Sequence, residues 1–131
     1  MLQNQKLILI ADDDREDIEL LEEAILHADP DIRIHSVTSA NKVLNFIQTT
    51  AELPCMIILD YNMPEMNGAE VLERLKNDSR LEKVPKIMWS TSNNSAFVKE
   101  CMQKGASAYM IKPSTQQQLQ EQAKQMLQLC K

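Results

Sequence analysis

The chain has 131 residues, 44% of them apolar and 25% charged, and carries a formal net charge of −5. A chain of that size buries about two thirds of the surface it exposes when unfolded, and this composition is ordinary for a soluble globular protein. Its Lys and Arg are scattered among acids, which argues against a nucleic-acid surface, and no run approaches the ~18 apolar residues of a membrane span or the apolar core of a signal peptide. A cytoplasmic location with no nucleic-acid or membrane partner is the resulting expectation.

The first element is Lys6-Leu7-Ile8-Leu9-Ile10-Ala11, an apolar run that reads as a strand buried on both faces and ends in Asp12-Asp13-Asp14. Ile18, Leu21, Ile25 and Ala28 follow at helical spacing, and Asp29-Pro30 stops that helix. Asp31 to Val37 alternates as a shorter edge strand would. Thr38 or Ser39 then caps a helix that carries Val43, Leu44 and Ile47 and ends near Thr50. The central strand, Met56-Ile57-Ile58-Leu59, runs into Asp60 and the loop Tyr61-Asn62-Met63-Pro64-Glu65-Met66-Asn67-Gly68. Val71, Leu72 and Leu75 mark one face of the helix that follows to about Lys76.

Asn77 to Val84 reads as a polar connection. Pro85 opens a fourth strand, Lys86-Ile87-Met88-Trp89, ending in Ser90-Thr91-Ser92. Asn93 or Asn94 caps a helix with Phe97, Val98, Cys101 and Met102, closed by Gly105. Ala108 to Ile111 is a fifth strand ending at Lys112-Pro113. Ser114 or Thr115 caps the last helix, which has Leu119, Ala123, Met126 and Cys130 on one face and a glutamine-rich, solvated face opposite. Cys55, Cys101 and Cys130 are far apart, form no CxxC pair and read as reduced thiols. His27 and His35 receive no function.

Five strands alternating with five helices predict an α/β fold with a parallel sheet, one domain over residues 1–131, without linker or repeat. In such a sheet all carboxyl ends lie on one edge, so Asp12, Asp13, Asp60, Ser90, Thr91 and Lys112 converge there. In the order 2-1-3-4-5, strands one and three are neighbours, which sets Asp12 and Asp13 beside Asp60. Three carboxylates this close repel strongly, and one lysine cannot neutralise them. Oxygen ligands without nearby His or Cys suit Mg²⁺ or a related hard cation, and a phosphoryl group is the natural guest of such a cation together with Lys112 and Ser90. Asp60, at the end of the central strand, is the candidate nucleophile for an aspartyl phosphate. The chain has only two glycines, Gly68 and Gly105, which excludes a P-loop or a GxGxxG turn.

These features together resemble a response-regulator receiver domain, CheY-like and similar to stand-alone phytochrome-associated regulators. The resemblance covers essentially the whole chain. It rests on the acid pair Asp12-Asp13, the Asp60-x-x-Met63-Pro64-x-Met66-x-Gly68 loop, Ser90 and Lys112-Pro113, with 30 residues from Asp60 to Ser90 and 22 from Ser90 to Lys112. It implies the flavodoxin-like (βα)5 doubly wound fold, with Asp60 as phosphoacceptor. Asp13 and Asp60 become Mg²⁺ ligands, Asp12 acts mostly through water, and the backbone carbonyl of Asn62 supplies another ligand.

The resemblance further implies that Ser90 is the switch hydroxyl, Lys112 the ion-pair partner of the phosphoryl group, and Tyr109 an aromatic switch residue turning in from a more exposed rotamer. The Lys112–Pro113 bond would be cis. Thr91 offers a second hydroxyl, but strand alternation and spacing favour Ser90. The implied role is a two-component phosphorelay regulator, a signalling receiver that catalyses only its own phosphorylation and dephosphorylation. Its partners would be a sensor histidine kinase or histidine phosphotransfer protein, an unspecified downstream protein and, in one reading, a second copy of itself. The output surface would be the fourth helix, fifth strand and fifth helix. An aspartyl-phosphate phosphatase would want an acid two residues after the nucleophile, where Asn62 stands. A degenerate receiver acting only as a binding module would have lost site residues, and none is visibly lost. A receiver cut from a DNA-binding regulator remains open, although the last helix reaches the chain end without an obvious linker.

Overall fold

A computed structural model describes residues 5–131. Five parallel strands pair in the order β2-β1-β3-β4-β5: β1 (Leu7–Ala11), β2 (Arg33–Val37), β3 (Met56–Leu59), β4 (Lys86–Ser90) and β5 (Ala108–Ile111). The connecting helices are α1 (Arg15–Ala28), α2 (Ala40–Thr49), α3 (Gly68–Leu75), α4 (Ser95–Gln103) and α5 (Gln116–Leu129). Every residue of β1 and β3 is buried, which is why those strands are apolar throughout. The edge strand β2 alternates, and Ile111 of β5 is exposed.

Alternate strand residues feed two cores, because successive side chains point to opposite faces of a sheet. Leu9, Ile57, Leu59 and Met88 pack towards α2, α3 and α4 with Val43, Leu72 and Cys101. Ile8, Ile10, Ile58, Ile87 and Trp89 pack towards α1 and α5 with Leu21, Ile25, Leu119 and Met126. Side-chain caps start each helix: Asp14 for α1, Ser39 for α2, Asn67 for α3, Asn94 for α4 and Thr115 for α5. Gly105, at φ +108°, makes the left-handed turn that releases α4.

Three sequence expectations need correction. The connection after α3 contains a short 3₁₀ turn, Ser79–Leu81, capped by Asp78, and it buries Leu81 completely. Three residues are too few to leave a periodic signal. Cys55 and Cys130 are not separate thiols but form a disulfide, with Cα atoms 5.0 Å apart. The start of β3 and the end of α5 meet at the amino-terminal pole of the sheet, so residues 75 apart in sequence become neighbours. Cys101 alone is a free, buried thiol. The Lys112–Pro113 bond is trans, the isomer that an X-Pro amide favours by about 0.5–1 kcal/mol.

Candidate functional site

Continuation of the parallel ladder past the strand ends builds the site. Asp12 N–H donates to the Val37 carbonyl at 3.1 Å and Asp60 N–H to the Ala11 carbonyl at 3.0 Å, which fixes the two acids side by side. Asp12 is 1% exposed and Asp60 7%, whereas Asp13 faces solvent. Asp12, Asp13 and Asp60 each offer a carboxylate oxygen, and these oxygens all lie within 4.8 Å of one another. Asp14 does not join them: its carboxylate accepts from Glu16 and Asp17 N–H and caps α1.

Lys112 reaches into this cluster from the end of β5, where its N–H donates to the Ser90 carbonyl at 2.8 Å. Its Nζ lies 2.7 Å from Asp12 Oδ2, 2.8 Å from Asp17 Oδ2 and 3.5 Å from Asp60 Oδ2, and 5.1 Å from the centre of the Trp89 ring. The approach to Asp12 is close enough for an ion pair but off the direction of a hydrogen bond, so Asp12 Oδ2 is buried with no hydrogen-bond partner among the described residues. Burial raises the Asp12 carboxyl from 3.8 to about 6, against the opposing pull of Lys112 and the Asp14 N–H. Burial alone would lower the Lys112 ammonium, but Asp12 and Asp17 override it and hold it above its ordinary value. A lone ammonium shared among carboxylates, one with an unmet buried oxygen, suits a second cation. Donors that are all oxygen fit a hard divalent ion.

The loop after β3 is pinned over Asp60. Tyr61 N–H donates to Asp60 Oδ1 at 2.8 Å, and Gly68 N–H to the Tyr61 carbonyl at 2.7 Å. A Cβ on Gly68 would stand 2.6 Å from the Asp60 carbonyl oxygen and 2.6 Å from Met88 Cε, so only glycine permits this approach. Asn67 and Glu70 close a capping box that starts α3 at that point. Asn62 sits exposed in the loop, and Glu65 takes a left-handed φ of 74° while its carboxylate accepts from Asn41 N–H.

Of the two adjacent hydroxyls, Ser90 is fully buried at the end of β4 and Thr91 is exposed, as strand alternation requires. Tyr109 is half-buried and donates its hydroxyl to the Ser92 carbonyl at 2.8 Å. It already lies inward, because its ring packs on the α2–α4 core and its hydroxyl finds an acceptor there. Three contributors escape the sequence pattern. Asp17, in the first turn of α1, shares Lys112. An acid one turn into a helix that starts at an acidic sheet edge is the signal that could have found it. Tyr61 stacks on Phe97 of α4 (4.3 Å between centroids, 11° apart) and donates its hydroxyl to Glu100 Oε1 at 2.8 Å. Burial and Glu100 together push that phenol up to about 12. Gln122, on the glutamine-rich face, accepts from Trp89 Nε1 at 2.9 Å and donates to the Ile111 carbonyl at 2.7 Å. A buried tryptophan's need for an acceptor was its only sequence signal.

A family described as "Response regulator receiver domain" matches residues 8–124. The two-component response regulator ORR5 of rice (Oryza sativa subsp. japonica) is 36% identical over 81 residues, 62% of this chain and 60% of its own length. Chemotaxis protein CheY1 of Helicobacter pylori is 38% identical over 72 residues, 55% of this chain and 58% of its own. The aligned region thus spans less than two thirds of these curated relatives. Among solved structures, the phosphorylated cyanobacterial phytochrome response regulator RcpA superposes with a TM-score of 0.87 at 25% identity, over 96% of this chain and 94% of that one. The Mn²⁺-bound form of the response regulator Rcp1 superposes with a TM-score of 0.81 at 24% identity, over 92% and 90% of the two chains.

Proposed function

Since the chain belongs to the response-regulator receiver domain family, we propose that it accepts a phosphoryl group on Asp60 from a sensor histidine kinase or histidine phosphotransfer protein. The observation that carries this reading is the buried Asp12–Asp60–Lys112 arrangement with an unmet carboxylate oxygen at the end of the central strands. A lone pair of an Asp60 carboxylate oxygen forms the new P–O bond while the P–N bond to the donor imidazole breaks, and the imidazole takes a proton from solvent. Lys112 neutralises phosphoryl charge. The Tyr61 N–H holds Asp60 Oδ1, leaving the other oxygen to attack. Ser90, buried at the adjacent strand end, donates its hydroxyl to the transferred group.

Asp12, Asp13 and Asp60, with the Asn62 backbone carbonyl, are the residues that would hold Mg²⁺. That ion would supply neutralisation of carboxylate and phosphoryl charge. A similarly folded regulator has been crystallised with Mn²⁺, which supports a divalent site. The chain is a receiver domain with a cytoplasmic signalling role, acting catalytically only on its own phosphorylation and dephosphorylation. Its readout surface for a downstream protein, or for a second copy, is α4, β5 and α5.

The test is direct. Incubation with a small acyl phosphate and Mg²⁺, followed by peptide mass spectrometry, should find one hydroxylamine-labile phosphate, at Asp60. It should be absent in Asp60→Asn and in excess chelator. Labelling that persists at full level in Asp60→Asn would overturn the assignment.

A further inference from the structure

The pole of the molecule opposite the acid cluster carries chemistry of its own. Cys55 and Cys130 are joined there, and Cys55 lines an open cleft of about 850 Å³. Cys130 lies behind it, 5% exposed, as the C-cap of α5, and its carbonyl accepts from Lys6 Nζ at 3.0 Å. Lys6, Lys83, Lys86 and Lys131 also line the cleft. Among the described lining residues the acidic side chains are Glu52, which is engaged by Arg33, and Glu82, against four lysines. The cleft is therefore electropositive and is lined by one cysteine of the pair, the half-buried Cys55. Where a disulfide occurs in a reducing compartment, it is usually catalytic or redox-sensing.

We propose that Cys55–Cys130 is a reversible thiol–disulfide exchange site, whose cleft admits a small anionic thiol or disulfide of the glutathione class to Cys55. In the oxidising direction the Cys55 thiolate attacks one sulfur of glutathione disulfide, forming a mixed disulfide at Cys55 and expelling one glutathione thiolate. The Cys130 thiolate then attacks the Cys55 sulfur, forms the internal disulfide and expels the second glutathione thiolate. Two protein thiols are oxidised, one glutathione disulfide is reduced to two thiols, and the two protons leaving the protein thiols pass through solvent to the glutathione thiolates. Reduction reverses these steps, with Cys130 as the leaving thiolate. The lysines favour the Cys55 thiolate and the carboxylates of the reagent. Cys101 takes no part: it is fully buried, and burial pushes its thiol up to about 11.

The experiment equilibrates the full chain in glutathione buffers of increasing disulfide-to-thiol ratio, quenches with acid, alkylates free thiols and maps peptides by mass spectrometry. Wild type should pass from alkylated Cys55 and Cys130 to a Cys55–Cys130 link within the millimolar glutathione range, with Cys101 unlinked throughout. Cys130→Ser should accumulate glutathione on Cys55, and Cys55→Ser should react at Cys130 at least about tenfold more slowly. Circular dichroism of both variants establishes that they are folded. A link that never forms, one that millimolar glutathione cannot reduce, or equal reactivity of the two variants each overturns the proposal. None of these outcomes depends on phosphorylation at Asp60.

Discussion

At the scale of single residues, the site is built for charge it does not itself balance. The Asp12 carboxyl, ordinarily at 3.8, is raised to about 6 in the folded chain. Between those values the folded state holds a proton that the unfolded chain has lost, so this carboxyl destabilises the fold progressively as pH rises from about 4 to about 6. Above that window the penalty is fully present, of order 2–3 kcal/mol, because each tenfold change in proton affinity corresponds to about 1.4 kcal/mol. Without divalent cations, Asp12→Asn should therefore unfold at a higher temperature than wild type at pH 7.5, with the gain shrinking towards pH 4. Added Mg²⁺ should raise the wild-type midpoint more than the variant's, which keeps Asp13 and Asp60 as carboxylate ligands. Thermal melts in chelator and in Mg²⁺ across pH check both effects; an unchanged or lowered midpoint in metal-free Asp12→Asn contradicts this account. Asp12, Asp13, Asp60, Ser90 and Lys112 were legible because each ends an apolar run. The role of Asp17 was not, since its contact with Lys112 joins residues far apart in the chain.

At the scale of elements, strands and helices were legible almost to the residue, since buried runs and capped amphipathic segments alternate without interruption. The tie between the Asp60 loop and α4 was not, because Tyr61 reads from sequence as one more apolar loop residue. Helix α4 has a single fully buried residue, Cys101, and so depends on partial contacts for its place. The Tyr61–Phe97 stack is worth about 0.5–1.5 kcal/mol beyond its buried area, and the bond to the Glu100 carboxylate about 1.5–3 kcal/mol. Tyr61→Leu should loosen α4 specifically. Amide hydrogen exchange across Ser95–Gln103 should quicken by about tenfold or more, as expected for roughly 1.4 kcal/mol or more of lost local stability. Exchange in α1 should hold at the wild-type rate, and Tyr61→Phe, which keeps the stack, should fall between. Uniform acceleration over all helices would mean that Tyr61 supports the fold generally rather than α4.

At the scale of the molecule, strand order was legible because right-handed crossovers leave few arrangements for five alternating units. The meeting of Cys55 with Cys130 was not, since it depends on where two elements end in space. The same topology sets Asp60 and Ser90 on adjacent strands and puts β5 next to β4, so an event at Asp60 is one strand from the α4–β5–α5 face. Met102 and Ile111 on that face are exposed apolar residues, 44% and 39% accessible, suited to a partner surface. Tyr109 already lies inward, so its ring has little distance left to travel. The change on phosphorylation should instead come from Ser90, whose hydroxyl accepts from Ser92 N–H at 3.2 Å and would turn to the phosphoryl group. That turn removes the acceptor of the Ser92 N–H, and the Ser92 carbonyl is the one Tyr109 holds. With Mg²⁺ and beryllofluoride, amide shifts should therefore be largest from Thr91 to Met102, extend into Ala108–Ile111, and be small along α1 beyond its first turn. Ser90→Ala should bind the mimic yet lose most of the shift across α4, while Thr91→Ala should retain it. A full α4 response in Ser90→Ala would transfer the switch from Ser90 to the Tyr61–Phe97 contact, and an unmoved α4 in wild type would remove it from this face altogether.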